Sequence, residues 1–306
     1  PPPSMPPPSP PPPRVVIEVS SAAGLKDALT MATEAAARGT ILGIRLEGGM
    51  YFMSKPIVLN RALEVSALHL EADSVATLVD ARPSTRRRLS GADATGGAQP
   101  MLHLNFSAGE ITLHGLTIEH AADAPAVEVV SGTVVMSQCS FVNNTGSGAV
   151  RITGGQVSIF NSSFEHNRNT VGLGTGGALN VAGGVVRVMS CSFQANFAAS
   201  GGAIAANGIG TWLRIFDSSF KLNTASLEGG ALAVGEASVT LSERTKLHSN
   251  TAPTMRSVSI RAGWTGQVAY ALPAPPGTQS TSSINAASVP ATATSCNRSE
   301  LCCWTE

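Results

Sequence analysis

The chain has 306 residues and a formal net charge of zero, with only 13% of its residues charged, against about 25% in ordinary globular chains. That balance argues against a phosphate-neutralising nucleic-acid binder, so no nucleic-acid partner is expected. No run approaches the ~18 consecutive apolar residues of a membrane helix, so no transmembrane segment is expected in this chain, and the length suits one elongated domain with appendages.

Residues 1–13, PPPSMPPPSPPPP, cannot build a core and should form an extended polyproline II rod, a linker or tail. The segment resembles the Ser-Pro-rich stretches of plant and green-algal cell-wall glycoproteins. Residues 14–60 then read as a cap. A strand is expected over 15–19, and Ser20 or Ser21 can cap a helix over 25–38 whose apolar stripe is Leu25, Ala28, Leu29, Ala32, Ala35 and Ala36, with Gly39 as its stop. Apolar runs at 41–46 and 57–59 flank the phrase GGMY at 48–51. First coils are expected over 63–70 and 75–79. Residues 81–100, with Arg82, Arg86, Arg87 and Arg88, read as a solvated basic insertion, and coil building resumes at 101–106 and 111–118.

From 131 to 250 two phrases alternate. The first is FVNN at 141–144, FEHN at 164–167, FQAN at 193–196 and FKLN at 220–223, with LHSN at 247–250 as a weaker echo. The second is GGAL at 176–179, GGAI at 201–204 and GGAL at 229–232, preceded by GSGAV at 146–150. The aromatic spacings are 23, 29 and 27 residues, then 27 to Leu247, a solenoid period. Between the phrases, apolar and polar residues alternate at 157–159, 186–188, 213–215 and 239–241, the pattern of strands with one buried face. Paired glycines in every unit disfavour helix at about 1 kcal/mol each. The predicted fold is therefore an all-β parallel β-helix with a short N-terminal capping helix. Phe141, Phe164, Phe193, Phe220 and Leu247 should form an interior ladder. Asn144, Asn167, Asn196, Asn223 and Asn250 should form a turn ladder, since Asn tolerates a left-handed backbone and bonds local turn groups. The glycine pair should permit a corner where a Cβ would clash.

The interleaved tetrapeptides resemble the GGA(I/L/V) and FxxN repeats of the chlamydial polymorphic outer membrane proteins, within the right-handed, pectin-lyase-like β-helix superfamily. The order of strand, helix, strand and Gly-Tyr phrase before them resembles the N-terminal cap of pectin-lyase-like domains. The resemblance implies a right-handed solenoid. It leaves function open among lyases, hydrolases, adhesins and surface proteins.

Cys139 and Cys191 each lie two residues before a ladder Phe, with Ser162 in the coil between. That separates them by roughly 9.6 Å, beyond the ~7 Å reach of a disulfide, so both are expected as buried thiols. Residues 273–295 read as a low-complexity mobile linker, and 296–306, with Cys296, Cys302 and Cys303, as the start of a truncated Cys-rich segment. Sequons at Asn105, Asn143, Asn161 and Asn297 fit a secretory route.

Relatives in this superfamily that degrade pectin cluster aspartates on adjacent coils, or set calcium-binding carboxylates beside a basic residue. Stacking the repeats gives one ladder of Gln138, Asn161, Ser190 and Asp217, and another of Glu119, Val142, Glu165, Gln194 and Lys221. Neither pairs an acid with a base. His120 and His166 fall two coils apart, too far for one metal. Arg187 and Arg214 share a register and could grip an acidic sugar or simply sit solvated, and Trp212 is the only Trp in the repeats. Length varies mainly at one corner: from ladder Asn to the next GGA alanine is 5, 11, 7 and 8 residues, but from that alanine to the next ladder residue 15, 15, 17 and 16. The longest bulge, 168–175, is expected to lie outside the strand ladders. These readings give candidate binding residues Arg168, Asn169, Thr170, Arg187, Arg214 and Asp217, with no catalytic residue, metal or cofactor assigned. The expected role is extracellular, at a cell surface or wall, in non-enzymatic adhesion or structure, with polysaccharide or matrix proteins as partners. The alternative is a pectate lyase-like or glycoside hydrolase-like enzyme, or a degenerate relative that binds carbohydrate.

Overall fold

Ser21 opens the helix by accepting a hydrogen bond from the Gly24 N–H at 3.1 Å, an N-cap that satisfies one of the first turn's free donors. The computed structural model describes residues 14–36, 41–59, 67–81, 99–242, 244–254, 258–260, 267–271 and 281–285. The proline-rich segment, Gly39, most of the arginine-bearing insertion, Asn297 and the cysteines at 296, 302 and 303 lie outside the described residues. Strand β1 (Arg14–Val19) leads into α1 (Ala22–Ala36), which begins three residues before the expected start because the Ser21 cap sits there. Leu25, Ala28 and Leu29 are buried. β2 (Ile41–Leu46) pairs in parallel with β1, and β3 (Gly49–Met53) and β4 (Ile57–Leu59) complete the cap. The buried Tyr51 hydroxyl lies 2.7 Å from the Val19 carbonyl oxygen and 2.8 Å from that of Glu47, tying strand ends together.

The first two coils run differently from the sequence expectation. Residues 63–66 lie outside the described residues; from 67 on, the expected coils are long continuous strands, β5 (Ala67–Asp80) and β6 (Leu102–Glu119), which bend at register shifts instead of breaking at corners. β7 (Val127–Ser137), β8 (Ser140–Val142) and β9 (Thr145–Gly146) form the next coil. Then come β10 (Val150–Ile152), β11 (Gln156–Phe160), β12 (Ser163–Glu165) and β13 (Arg168–Asn169). The following coil holds β14 (Leu179–Val181), β15 (Val185–Met189), β16 (Ser192–Gln194) and β17 (Phe197–Ser200). After it lie β18 (Ile204–Ala206), β19 (Trp212–Phe216), β20 (Ser219–Lys221) and β21 (Thr224–Glu228). β22 (Leu232–Val234), β23 (Ser238–Ser242) and β24 (Lys246–His248) follow, then β25 (Val258–Ile260) and β26 (Gln267–Ala271). Each strand pairs in parallel with its equivalent one coil away, building a β-solenoid of about seven turns. Within the segment read as a linker, β27 (Thr281–Asn285) instead pairs antiparallel with β26.

The phenylalanine ladder is the axis of the core. Phe141, Phe164, Phe193 and Phe220 are buried and in register, with ring centroids 4.7, 4.8 and 4.6 Å apart and planes 5° from parallel. Strand spacing sets that separation, so identical rings at identical positions must stack. At the glycine corner, Gly176 has φ +68° and a Cβ there would run into the Leu179 carbonyl oxygen, while one on Gly202 would strike the Gly230 carbonyl of the next coil.

The asparagine ladder works by another mechanism than the expected one. Asn144, Asn167, Asn196, Asn223 and Asn250 are buried, and the left-handed residue is the one before each: Asn143, His166, Ala195, Leu222 and Ser249, with φ of 53, 55, 52, 58 and 51°. That corner turns the amide inward to bond the coils on both sides. Asn196 Nδ2 donates to the Phe164 carbonyl and to Asn223 Oδ1, each at 2.9 Å, and its Oδ1 accepts from the Asn167 backbone N–H and Nδ2, each at 3.0 Å. Every donor and acceptor of that side chain is used.

Cys139, Ser162, Cys191 and Ser218 occupy one corner on successive coils, so the two cysteines stand two coils apart as expected, and both are free and buried. The coil neighbours complement them: Cys139 N–H donates to Ser162 Oγ and Cys191 N–H to Ser218 Oγ, each at 3.1 Å. Burial pushes both thiols up to about 11.

Candidate functional site

The long strand of each coil buries one face and shows the other. On β15 and β19 the side chains of Val186, Val188, Leu213 and Ile215 point inward and are fully buried. The outward residues fall into three registered pairs, Val185 with Trp212, Arg187 with Arg214, and Met189 with Phe216. Trp212 is 51% exposed, Val185 49% and Met189 38%. Two guanidinium groups therefore sit one strand apart, flanked on both sides by apolar side chains. Among the described residues neither has a carboxylate or hydrogen-bond partner. Neighbouring coils continue the same rows with neutral groups, Gln156 and Ser158 on one side and Ser238 and Thr240 on the other.

The variable corner belongs to a separate four-stranded sheet of β9, β13, β17 and β21. The expectation that the whole 168–175 bulge lies outside the ladders fails at its base, because Arg168 pairs with Thr145 and Phe197, and Asn169 with Gly146. The Arg168 guanidinium lies 4.9 Å from the Phe197 ring centroid, a cation–π contact. Asn169 is buried, and its Nδ2 donates to the Thr175 carbonyl at 2.8 Å, closing the loop. The Thr170 N–H donates to the Gly146 carbonyl at 2.7 Å. Val171 and Leu173, at the tip, are exposed.

Asp217 lies at a third place, on the corner after β19. It shares a left-handed corner conformation with Gln138, Asn161 and Ser190 (φ 48, 53, 46 and 54°), one that Asn and Asp adopt more readily than most residue types. These four line a shallow groove of about 490 Å³ together with Ser140, Ser163 and Ser192. Asp217 is its only acid, and its Oδ1 stands 3.9 Å from Arg244 Nε. The structure thus brings Arg187 and Arg214 together and assigns Arg168, Asn169, Thr170 and Asp217 to other faces.

One cluster escaped the sequence reading. His103, Glu128 and Arg151 are in register on β6, β7 and β10, with His103 Nδ1 3.0 Å from Glu128 Oε2 and Arg151 Nε 3.9 Å from Glu128 Oε1. The tetrapeptides are missing from the first of these coils. Only the pairing of Val127 with Val150 and of Leu102 with Val127 exposes the alignment. The ladder of Glu119, Val142, Glu165, Gln194 and Lys221 is as expected, its acids separated by a coil. A cavity of about 670 Å³ lies between α1 and β3–β4, lined by Leu29, Phe52 and Ile57 together with Lys26 and Lys55. It ends at Leu59, next in the chain to residues outside those described.

Among the described residues no group of three or more His, Cys, Asp or Glu side chains could hold a metal ion, and no helix is long and apolar enough to cross a membrane. Comparison with family models, with curated proteins and with solved structures finds no match.

Proposed function

We propose that the chain is an extracellular or cell-surface β-helix protein that acts without catalysis, in adhesion or as a structural part of a matrix or wall, with polysaccharide or matrix proteins as partners. The observation that carries this reading is the unbroken run of stacked rings and bonded amides from Phe141 to Asn250, which makes the repeats a stiff rod with long, regular outer faces. Two further features support it. The sequon residues Asn143 and Asn161 are exposed at corners, positions able to carry a glycan, whereas Asn105 is tied to Ser131 through Oδ1 at 2.8 Å. The GGA and FxxN phrases, which resemble repeats of the polymorphic outer membrane proteins, recur once per coil of a β-solenoid, which supports a place in the pectin-lyase-like superfamily.

A second reading, a polysaccharide-active enzyme, draws on His103, Glu128 and Arg151, since a carboxylate between an imidazole and a guanidinium could move a proton. Against it, Glu128 is bonded to His103 and its side chain is only 19% exposed. Incubation of the protein with polygalacturonate, alginate, chondroitin sulfate and cellulose tests both. Retention on isolated cell walls or matrix without new unsaturated or reducing ends supports the scaffold role. Sugar release abolished by Glu128→Gln or Asp217→Asn would replace it with the enzyme.

A further inference from the structure

We infer that the outer face of β15 and β19 is a binding site for an anionic polysaccharide, its chain lying along the solenoid axis across Arg187 and Arg214. This deepens the scaffold reading above and rests on it. Two like charges in direct register repel one another, a cost that a neighbouring carboxylate would relieve. Among the described residues none serves here: Asp217 is engaged with Arg244 on the next corner, and Glu236 lies two residues before β23. The unmatched pair favours a ligand that supplies negative charge at the strand repeat of about 4.8 Å, close to the length of one sugar ring in an extended chain.

The surroundings select the kind of anion. Trp212 offers an exposed indole, amphipathic and able to pack on the C–H face of a pyranose. Ser158, Arg187, Arg214 and Thr240 form one row across four coils, a polar track about 14 Å long at the strand spacing. With five-residue strands rising ~3.3 Å per residue, the face measures on the order of 250 Å². A stable protein interface needs about 800 Å² from each partner, so the patch is too small for a folded protein and suits a linear chain that crosses it. Sulfate and carboxylate groups present the same paired oxygens to a guanidinium, so either chemistry would serve.

The experiment uses the full chain in binding titrations with heparin, polygalacturonate, dextran and poly-glutamate at low and high salt. Binding of heparin or polygalacturonate is expected, weakened by salt, with dextran silent. Heparin alone would assign sulfate, and polygalacturonate alone would assign uronate. Arg187→Gln with Arg214→Gln should lower affinity at least tenfold and flatten the salt dependence. Trp212→Ala should lower it several-fold with the salt dependence unchanged, and Lys221→Gln, an exposed cation on another strand, should have little effect. These residues are exposed, so circular dichroism should match the parent. Unchanged binding by the double arginine variant, equal loss with Lys221→Gln, or equal binding of dextran or poly-glutamate would overturn the assignment. Retention on cell walls with no acidic polysaccharide bound would sink this site and leave the scaffold role intact. Turnover of the bound chain would sink the scaffold role instead.

Discussion

Replacing Asn196 separates the hydrogen bonds of the amide ladder from its shape. Asn196→Ala removes a buried side chain that makes four bonds, leaving the Asn167 N–H and one Asn167 Nδ2 hydrogen without partners and taking the side-chain donor from the Phe164 carbonyl. At about 1–3 kcal/mol per orphaned buried group, the loss should be about 2–6 kcal/mol. Asn196→Asp keeps the shape and one acceptor but turns the donating edge into an oxygen facing two acceptors, the Phe164 carbonyl and Asn223 Oδ1. Ionisation there is opposed, so the folded pKa must rise above the unfolded value of about 3.9. Below that value the acid is protonated in both states and the variant is at its best. As pH rises, the unfolded chain loses its proton first and stability falls until the folded pKa is passed. Unfolding followed by circular dichroism at pH about 3.5 and about 7 should therefore show a growing deficit, relative to the parent, for Asp but a constant one for Ala. Repeat proteins open in segments, so exchange of the Asn167 amide hydrogen gives a local reading that should speed up in both variants. An Asp variant as stable as the parent at neutral pH, with the Asn167 hydrogen still protected, would refute the ladder.

Phe193→Ala empties a place between two rings at 4.8 and 4.6 Å and should cost about 3–5 kcal/mol, measured by denaturant unfolding. Gly202→Ala should be strongly destabilising in the same assay, because the added methyl meets the Gly230 and Thr224 carbonyls, backbone that cannot yield. Cys139 and Cys191 should resist alkylation at pH about 8 until the protein is unfolded, and mass spectrometry of unreduced peptides should show no link between them. Because their folded pKa values of about 11 exceed the unfolded value of 9.0, the unfolded state ionises first and stability should fall between those pH values. Replacing 170–174 with glycine and serine while keeping Arg168, Asn169 and Thr175 should preserve the thermal midpoint, whereas extending the replacement to Asn169 should lower it.

Spacing made the coil register legible: the Phe, Cys and Gly positions follow from counting residues, since in-register stacking admits one alignment. The role of the asparagines was not legible in this way. Their conformational preference pointed to a left-handed turn, but the turn is made by Ala195 and Leu222, residue types that carry no such preference. The bonds that explain Asn196 reach residues 27 to 32 positions away, beyond any local propensity. The same limit hid the Glu128 cluster, whose members are 25 and 23 residues apart in coils with degenerate repeats. Arg187 and Arg214 could be aligned from the sequence, but the apolar rows beside them could not be identified as exposed until the faces of β15 and β19 were known.

The amide ladder also runs one way. From Asn144 through Asn167, Asn196 and Asn223 to Asn250, each Nδ2 donates to the next Oδ1 and never the reverse. Aligned dipoles of this kind reinforce one another, and each ladder amide from Asn167 to Asn223 meets an equivalent amide on the coil above and on the coil below. Duplicating or deleting one whole repeat would give every amide the same partners as before, whereas a shift of one residue would break the chain at that point. Along this ladder, solenoid length can therefore change in steps of a full turn without any new kind of amide contact being needed.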